Sequence, residues 1–150
     1  MTKQDLGTTT ATQIGIVVSD IEIAAKRWAD VFKLPVPEVI VTDSVDQSRT
    51  EFMGTSTPAR AKLAFFNFGQ VDIELIEPID GPSTWKDQLD AHGESIHHIA
   101  FEIQGMAETI TYLADKGISL VQRGEYKGGR YAYMDGLNQL GAILELLEND

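Results

Sequence analysis

Four side chains in this chain have the types and spacing of a metal centre: Gln13, Glu74, His98 and Glu145. An amide oxygen, an imidazole and two carboxylates form a hard to borderline donor set. It suits one divalent cation among Zn, Ni, Co, Mn or Mg and is poorly matched to Cu(I). Each of the four lies in a run that reads as a strand, where alternate residues share a face. Gln13 then shares its face with Gly15, and His98 with Ala100, so a small residue follows each and leaves space beside it. Glu74 shares a face with Ile76, and Glu145 with Ile143 and Leu147. An unpaired carboxylate on such an apolar face costs several kcal/mol, and a bound divalent cation would remove that cost. Taken singly, each residue also has an ordinary role. His98 suits a hydrogen-bonded core position, and the glutamates suit a solvated sheet face like that implied by Asp72, Glu77 and Glu148.

What joins the four is an internal repeat. Gln13-Ile-Gly-Ile-Val-Val matches His98-Ile-Ala-Phe-Glu-Ile at an offset of 98 − 13 = 85. At the same offset Ile21 falls on Met106, Ala25 on Ile110 and Trp28 on Leu113. The apolar spacing predicts an amphipathic helix after each strand, the second stopping at Gly117. Ile73-Glu-Leu-Ile-Glu77 matches Leu144-Glu-Leu-Leu-Glu148 at 145 − 74 = 71, so each half closes on a similar strand. Between helix and last strand lie two more strands per half, at about 37–42 and 61–68, and at about 118–123 and 130–134. The reading is α+β: two βαβββ modules at about 11–78 and 95–149, within one domain spanning 1–150. Ser83 caps a short linker helix ending near Gly93, and the polar segment 41–58 reads as a partly irregular loop.

Composition narrows the partners. A net charge of −11, from 23 acidic and 12 basic residues, repels phosphate backbones and anionic lipid surfaces, so neither nucleic acid nor membrane is an expected partner. Cysteine is absent, which excludes disulfides, thiolate metal sites and cysteine nucleophiles. The threonine-rich start carries no signal-like apolar stretch, and a cytoplasmic location is the default expectation.

At these residues the sequence resembles the vicinal oxygen chelate superfamily, which includes glyoxalase I, methylmalonyl-CoA epimerase, extradiol dioxygenases and bleomycin-resistance proteins. The carriers are residues 14–21, 73–78, 93–101 and 142–147. The resemblance implies a cupped eight-stranded sheet around one metal ion, with ligands at Gln13, Glu74, His98 and Glu145, and commonly a homodimer. The texture is similar to methylmalonyl-CoA epimerases, whereas glutamine at the first ligand position resembles the set of eukaryotic-type glyoxalase I. By this resemblance the reaction is proton abstraction next to a carbonyl, with Glu145 shuttling the proton and Glu74 as its counterpart. The substrate is then a small carbonyl compound: an acyl-CoA, a sugar-derived acid or a thiol adduct.

Three functions follow: an epimerase or isomerase, a lactoylglutathione lyase of glyoxalase I type, and a non-catalytic drug-binding protein. A ring-cleaving iron dioxygenase fits less well, since it wants two histidines and one carboxylate. Arg130 is read as an anion-binding residue, with Tyr131 or Tyr133 toward the pocket. His97 is read as pointing away from His98, Trp28 as core, and Trp85 as covering the pocket or packing beneath it. A second catalytic carboxylate has no clear place: Lys62 stands near its position, and Glu51 lies in the irregular loop.

Overall fold

A computed structural model describes residues 3–150. The first module runs β1 (Gln13–Val17), α1 (Ile21–Phe32) and β2 (Ile40–Val41). An insertion follows, with α2 (Val45–Ser48), β3 (Glu51–Phe52) and β4 (Thr55–Ser56), before β5 (Arg60–Phe68) and β6 (Val71–Ile79) close the module. A linker helix α3 (Thr84–His92) leads to the second module: β7 (Ser95–Glu102), α4 (Met106–Ala114), β8 (Ser119–Tyr126), β9 (Gly129–Gly136), the single turn α5 (Leu137–Leu140) and β10 (Ala142–Asn149).

All ten strands form one mixed sheet, ordered β2-β5-β6-β1-β7-β10-β9-β8-β3-β4 and curled into a half-barrel. The eight strands from β2 to β8 are the eight read from the sequence, with β3 and β4 added at one edge, and they show how the repeat works. Each module pairs its first strand with its last in parallel, and the two first strands meet antiparallel at the seam. There Gln13 lies opposite Ala100 and Gly15 opposite His98, so residues 85 apart in sequence exchange places across a pseudo-two-fold axis.

The helices form where the apolar period predicts them, and local caps set their starts. Asp20 accepts from the Ile23 N–H at the start of α1, and Ser83 accepts from the Lys86 N–H at the start of α3. α4 ends at Ala114 and turns through Gly117, at φ 83°. On one face of the sheet α1 buries Ile21, Ala24, Ala25 and Ala29 against Phe66 and Leu75, and Trp28 packs beside Phe66 and Phe68 as a core residue. α4 buries Met106 and Leu113 against Ala132, Met134 and Leu146. The opposite face keeps Val17, Ile76, Tyr133 and Ile143 around Trp85 of α3. No helix among the described residues is long and apolar enough to cross a membrane.

Two local features differ from the sequence reading. β2 is two residues long rather than spanning 37–42. The segment 41–58 is more ordered than its polar, aperiodic composition suggests, because the unpaired edge of β8 is a template for it. Glu51 and Phe52 pair with Arg123 and Gln122, and the chain reverses at Met53-Gly54, with φ of 54° and 79°. Positive φ at both central residues is the mark of a type I′ hairpin turn. The first module thereby reaches across to the far edge of the second and brings Ser48 and Thr50 to the mouth of the cup.

Candidate metal centre

The seam places the four polar residues on neighbouring strands. Gly15 on β1 is flanked by Glu74 on β6 and His98 on β7, while Ala100 on β7 is flanked by Gln13 on β1 and Glu145 on β10. The small residues are therefore needed. A Cβ on Gly15 would stand 2.1 Å from His98 Cε1 and 2.6 Å from Nε2, inside the ring's own volume. His98 is 1% exposed, Glu145 5% and Glu74 7%. His98 Nε2 lies 3.1 Å from Glu145 Oε1 and 3.5 Å from Glu74 Oε1.

Gln13 supplies the decisive geometry. Its inward amide atom lies 2.9 Å from Glu145 Oε1, 3.0 Å from His98 Nε2 and 3.2 Å from Glu74 Oε1. As oriented, that atom is the carbonyl oxygen, an acceptor facing acceptors. Three arrangements relieve this. A neighbour carries a proton and donates it to the oxygen, the amide turns so that the two N–H groups of its nitrogen point at these acceptors, or a cation stands among four converging lone pairs. With metal–ligand bonds of roughly 2.1 Å, adjacent donors stand about 3.0 Å apart at right angles and about 3.4 Å at tetrahedral angles. The observed spacings of 2.9, 3.0, 3.1, 3.2 and 3.5 Å match that range, and Glu74, His98 and Glu145 all offer ligand atoms within 4.8 Å of one another. The donor set therefore fits a divalent cation. Without one, burial and then the nearby Glu145 push the Glu74 carboxyl well above its ordinary 4.5.

The centre opens into a cavity of about 430 Å³, walled by Leu63, Phe65, Trp85 and Leu147, with Asp43 and Glu125 at its exposed rim. No lysine or arginine lines it among the described residues. Tyr131 and Tyr133 both face it, and obligate donors orient each phenol. The Trp85 indole donates to Tyr133 Oη at 3.0 Å, and Gln122 Nε2 donates to Tyr131 Oη at 3.0 Å. Each hydroxyl thus accepts one hydrogen bond and retains its proton as a donor. Burial, followed for Tyr133 by the two glutamates, holds both phenols above their ordinary range, so they stay protonated. Trp85 both walls the cavity and packs beneath its floor.

Arg130 stands elsewhere. It alternates with the two tyrosines along β9, so it projects to the other side of the sheet. There Glu148 Oε1, at 3.0 Å, and Asp150 hold its guanidinium, and the expectation that it binds substrate is corrected. Lys62 likewise lies on the far face, paired with Glu77 at 3.7 Å, and Glu51 is an exposed residue of β3 that does not line the cavity.

His97 overturns the alternation rule. Between Gly15↔His98 and Ile16↔Ile96 the β1–β7 register shifts, leaving His97 as the extra residue of a β-bulge. It therefore lies on the same side as His98, both imidazoles within 5.0 Å of the Tyr133 ring. His97 Nδ1 is 2.8 Å from His98 Nδ1, and His97 Nε2 is 3.2 Å from Thr84 Oγ1. Burial and then His98 hold the His97 imidazole well below its ordinary 6.5, against the opposing hydrogen bond of Thr84. No period or motif in one chain announces a bulge. The doubled histidine was the only sign.

Residues 12–133 match the model of the glyoxalase/bleomycin resistance protein/dioxygenase superfamily. The chain belongs to that superfamily. An uncharacterized protein, YqjC of Bacillus subtilis (strain 168), is 32% identical over 92 residues, a match covering 59% of this chain and 66%, just under two thirds, of YqjC. Among solved structures, hypothetical protein BH1468 of Bacillus halodurans C-125 superposes with a TM-score of 0.67 at 23% identity, covering 93% of this chain and 94% of that one. Methylmalonyl-CoA epimerase of Mycobacterium tuberculosis gives 0.62 at 21% identity, covering 100% and 93%. A variant of the Streptomyces coelicolor epimerase in complex with 2-nitronate-propionyl-CoA gives 0.63 at 20%, covering 94% and 97%. At these identities the likeness shows the fold. Glyoxalase-superfamily members typically bind a divalent metal, and the buried Glu74, His98 and Glu145 group could hold one.

Two predictions test the geometry. Gly15→Ala should displace His98, lowering zinc affinity at least tenfold and destabilising the fold by about 1–3 kcal/mol; isothermal titration and urea unfolding read both. An unchanged affinity would mean that His98 is not held against Gly15. The second concerns pH. A carboxyl raised above 4.5 in the folded state contributes stability that is complete below pH 4.5 and lost as pH rises through the raised value. His97, lowered in the folded state, acts with the opposite sign: its contribution is present above 6.5 and lost as pH falls. Metal-free protein compared with Glu74→Gln should isolate the first effect, the wild type losing unfolding free energy relative to the variant as pH rises above 4.5. Parallel pH profiles would contradict the buried-carboxylate account.

Proposed function

We propose that this chain is a metal-dependent epimerase or isomerase that abstracts a proton next to a carbonyl, in the manner of methylmalonyl-CoA epimerase. The observation that carries the reading is the convergence of Gln13, Glu74, His98 and Glu145 at the base of an apolar cavity. A divalent cation held by these four would supply Lewis acidity to the negative charge that develops on a carbonyl oxygen.

The chain's own residues do the rest. Glu145 takes the α-proton, and Glu74, across the centre, is its counterpart for return to the opposite face. The hydroxyl protons of Tyr131 and Tyr133 point donors at the substrate oxygens as charge builds there. Leu63, Phe65, Trp85 and Leu147 exclude water from the reacting carbon. With only carboxylates among its charged walls, the cavity takes the acyl end of a thioester, and the phosphates of a coenzyme remain in solvent. Support comes also from the epimerase structures with the same fold.

A second reading is a glyoxalase I-type lyase acting on the thiol adduct of a 2-oxoaldehyde. Gln13 favours it, because the glutamine, glutamate, histidine, glutamate set resembles that of eukaryotic-type glyoxalase I.

One experiment separates them. Cobalt- or zinc-loaded protein is incubated in D2O with methylmalonyl-CoA, or with the methylglyoxal–glutathione hemithioacetal, and followed by proton NMR. Epimerase activity predicts deuterium at the α-carbon of methylmalonyl-CoA, slowed about 10²- to 10⁴-fold in Glu145→Gln. Conversion of the hemithioacetal alone establishes the lyase instead, and inertness toward both overturns the proposal.

A further inference from the structure

We infer that His97 is a positioning residue that holds His98 with its proton on Nδ1 and its Nε2 lone pair aimed at the centre. The inference rests on the metal-binding reading above and adds a residue that touches neither cation nor substrate. A ligand imidazole must be oriented by whatever its second nitrogen bonds. Here that nitrogen, His98 Nδ1, meets His97 Nδ1 at 2.8 Å, deep in the protein: His97 is 3% exposed and His98 1%.

Only one proton fits between two nitrogens at that distance. When His98 Nε2 gives its lone pair to a cation, the ring's proton stands on Nδ1, and His97 Nδ1 must accept it. The proton of neutral His97 is then on Nε2, where Thr84 Oγ1 accepts at 3.2 Å. Thr84 is itself pinned: its backbone N–H, a free donor in the first turn of α3, goes to Gln122 Oε1 at 2.9 Å. Because that N–H can only donate, the Gln122 amide has a single orientation, and its nitrogen donates to Tyr131 Oη at 3.0 Å. The chain of donors ties β7, α3, β8 and β9 to one imidazole. The β-bulge makes this arrangement available, because in a regular strand residue 97 would face the helix layer. Removing His97 would leave the buried Nδ1–H of His98 without an acceptor and the ring without a stop.

The test uses the chain's three histidines, His92, His97 and His98, which give a simple imidazole spectrum. In ¹⁵N-histidine-labelled, zinc-loaded protein, His98 should carry its proton on Nδ1 and His97 on Nε2, with zinc on His98 Nε2. Zinc affinity, read by competition with a chromophoric chelator, should fall about 10- to 100-fold in His97→Leu. His97→Asn, which keeps a polar atom near the position of Nδ1, should recover most of it. A proton on His97 Nδ1 in the loaded wild type overturns the inference whether or not a variant folds, as does wild-type affinity in His97→Leu. Wild-type protein that binds no zinc overturns the metal reading itself, a result distinct from intact binding that ignores His97.

Discussion

Two buried carboxylates and an imidazole nitrogen, with ligand atoms all within 4.8 Å of one another, are the constraint on which this structure depends. Two unit charges at that separation repel by roughly 3 kcal/mol even at an effective dielectric of about 20, and desolvation adds to the cost. A fold tolerates this only if a proton, a turned amide or a cation resolves it. Gln13 is the gauge, since its inward atom contacts all three neighbours: with a cation it must be an acceptor, and without one it either turns to donate or accepts a proton carried by a neighbour. The same four side chains thus define both a strained metal-free state and a satisfied metal-bound one.

The fold supplies this convergence through symmetry. Two modules abut at β1 and β7, and the pseudo-two-fold axis brings the small residue of one strand opposite the ligand of the other. Outside, α1 and α4 bury their apolar faces and hold the sheet in its curl. Inside, α3 does more than link the modules, because it presents Trp85 to Tyr133 and Thr84 to His97. The floor of the cavity is therefore a hydrogen-bonded layer in which the Trp85 indole, the Thr84 N–H and the Gln122 amide can each act in only one direction.

Much of this was legible in the sequence because duplication is visible as offset. The residues 85 and 71 positions apart exposed the repeat and singled out four side chains that the strand pairing brings together, and the small residue at 15 matches the room that His98 occupies. Arg130 was misplaced although the alternation along β9 already put it opposite the tyrosines; its partners, Glu148 and Asp150, become apparent only with the pairing of β9 and β10. His97 was misplaced for a deeper reason. A bulge is a property of two strands in register, and strand periodicity in one chain assigns residue 97 to the wrong face. The β3–β4 hairpin was illegible because Met53-Gly54 lacks the usual Asn-Gly or Asp-Gly turn signal, and its stability comes from the distant β8 edge.

The central claim is that these four side chains surround a single cation. Crystals of protein loaded with cobalt, with diffraction data collected on both sides of the cobalt absorption edge, test it directly. The account predicts one anomalous peak per chain, within coordination distance of Gln13 Oε1, Glu74, His98 Nε2 and Glu145. A peak elsewhere, or a Gln13 amide nitrogen still donating to both carboxylates with no peak between them, would contradict it.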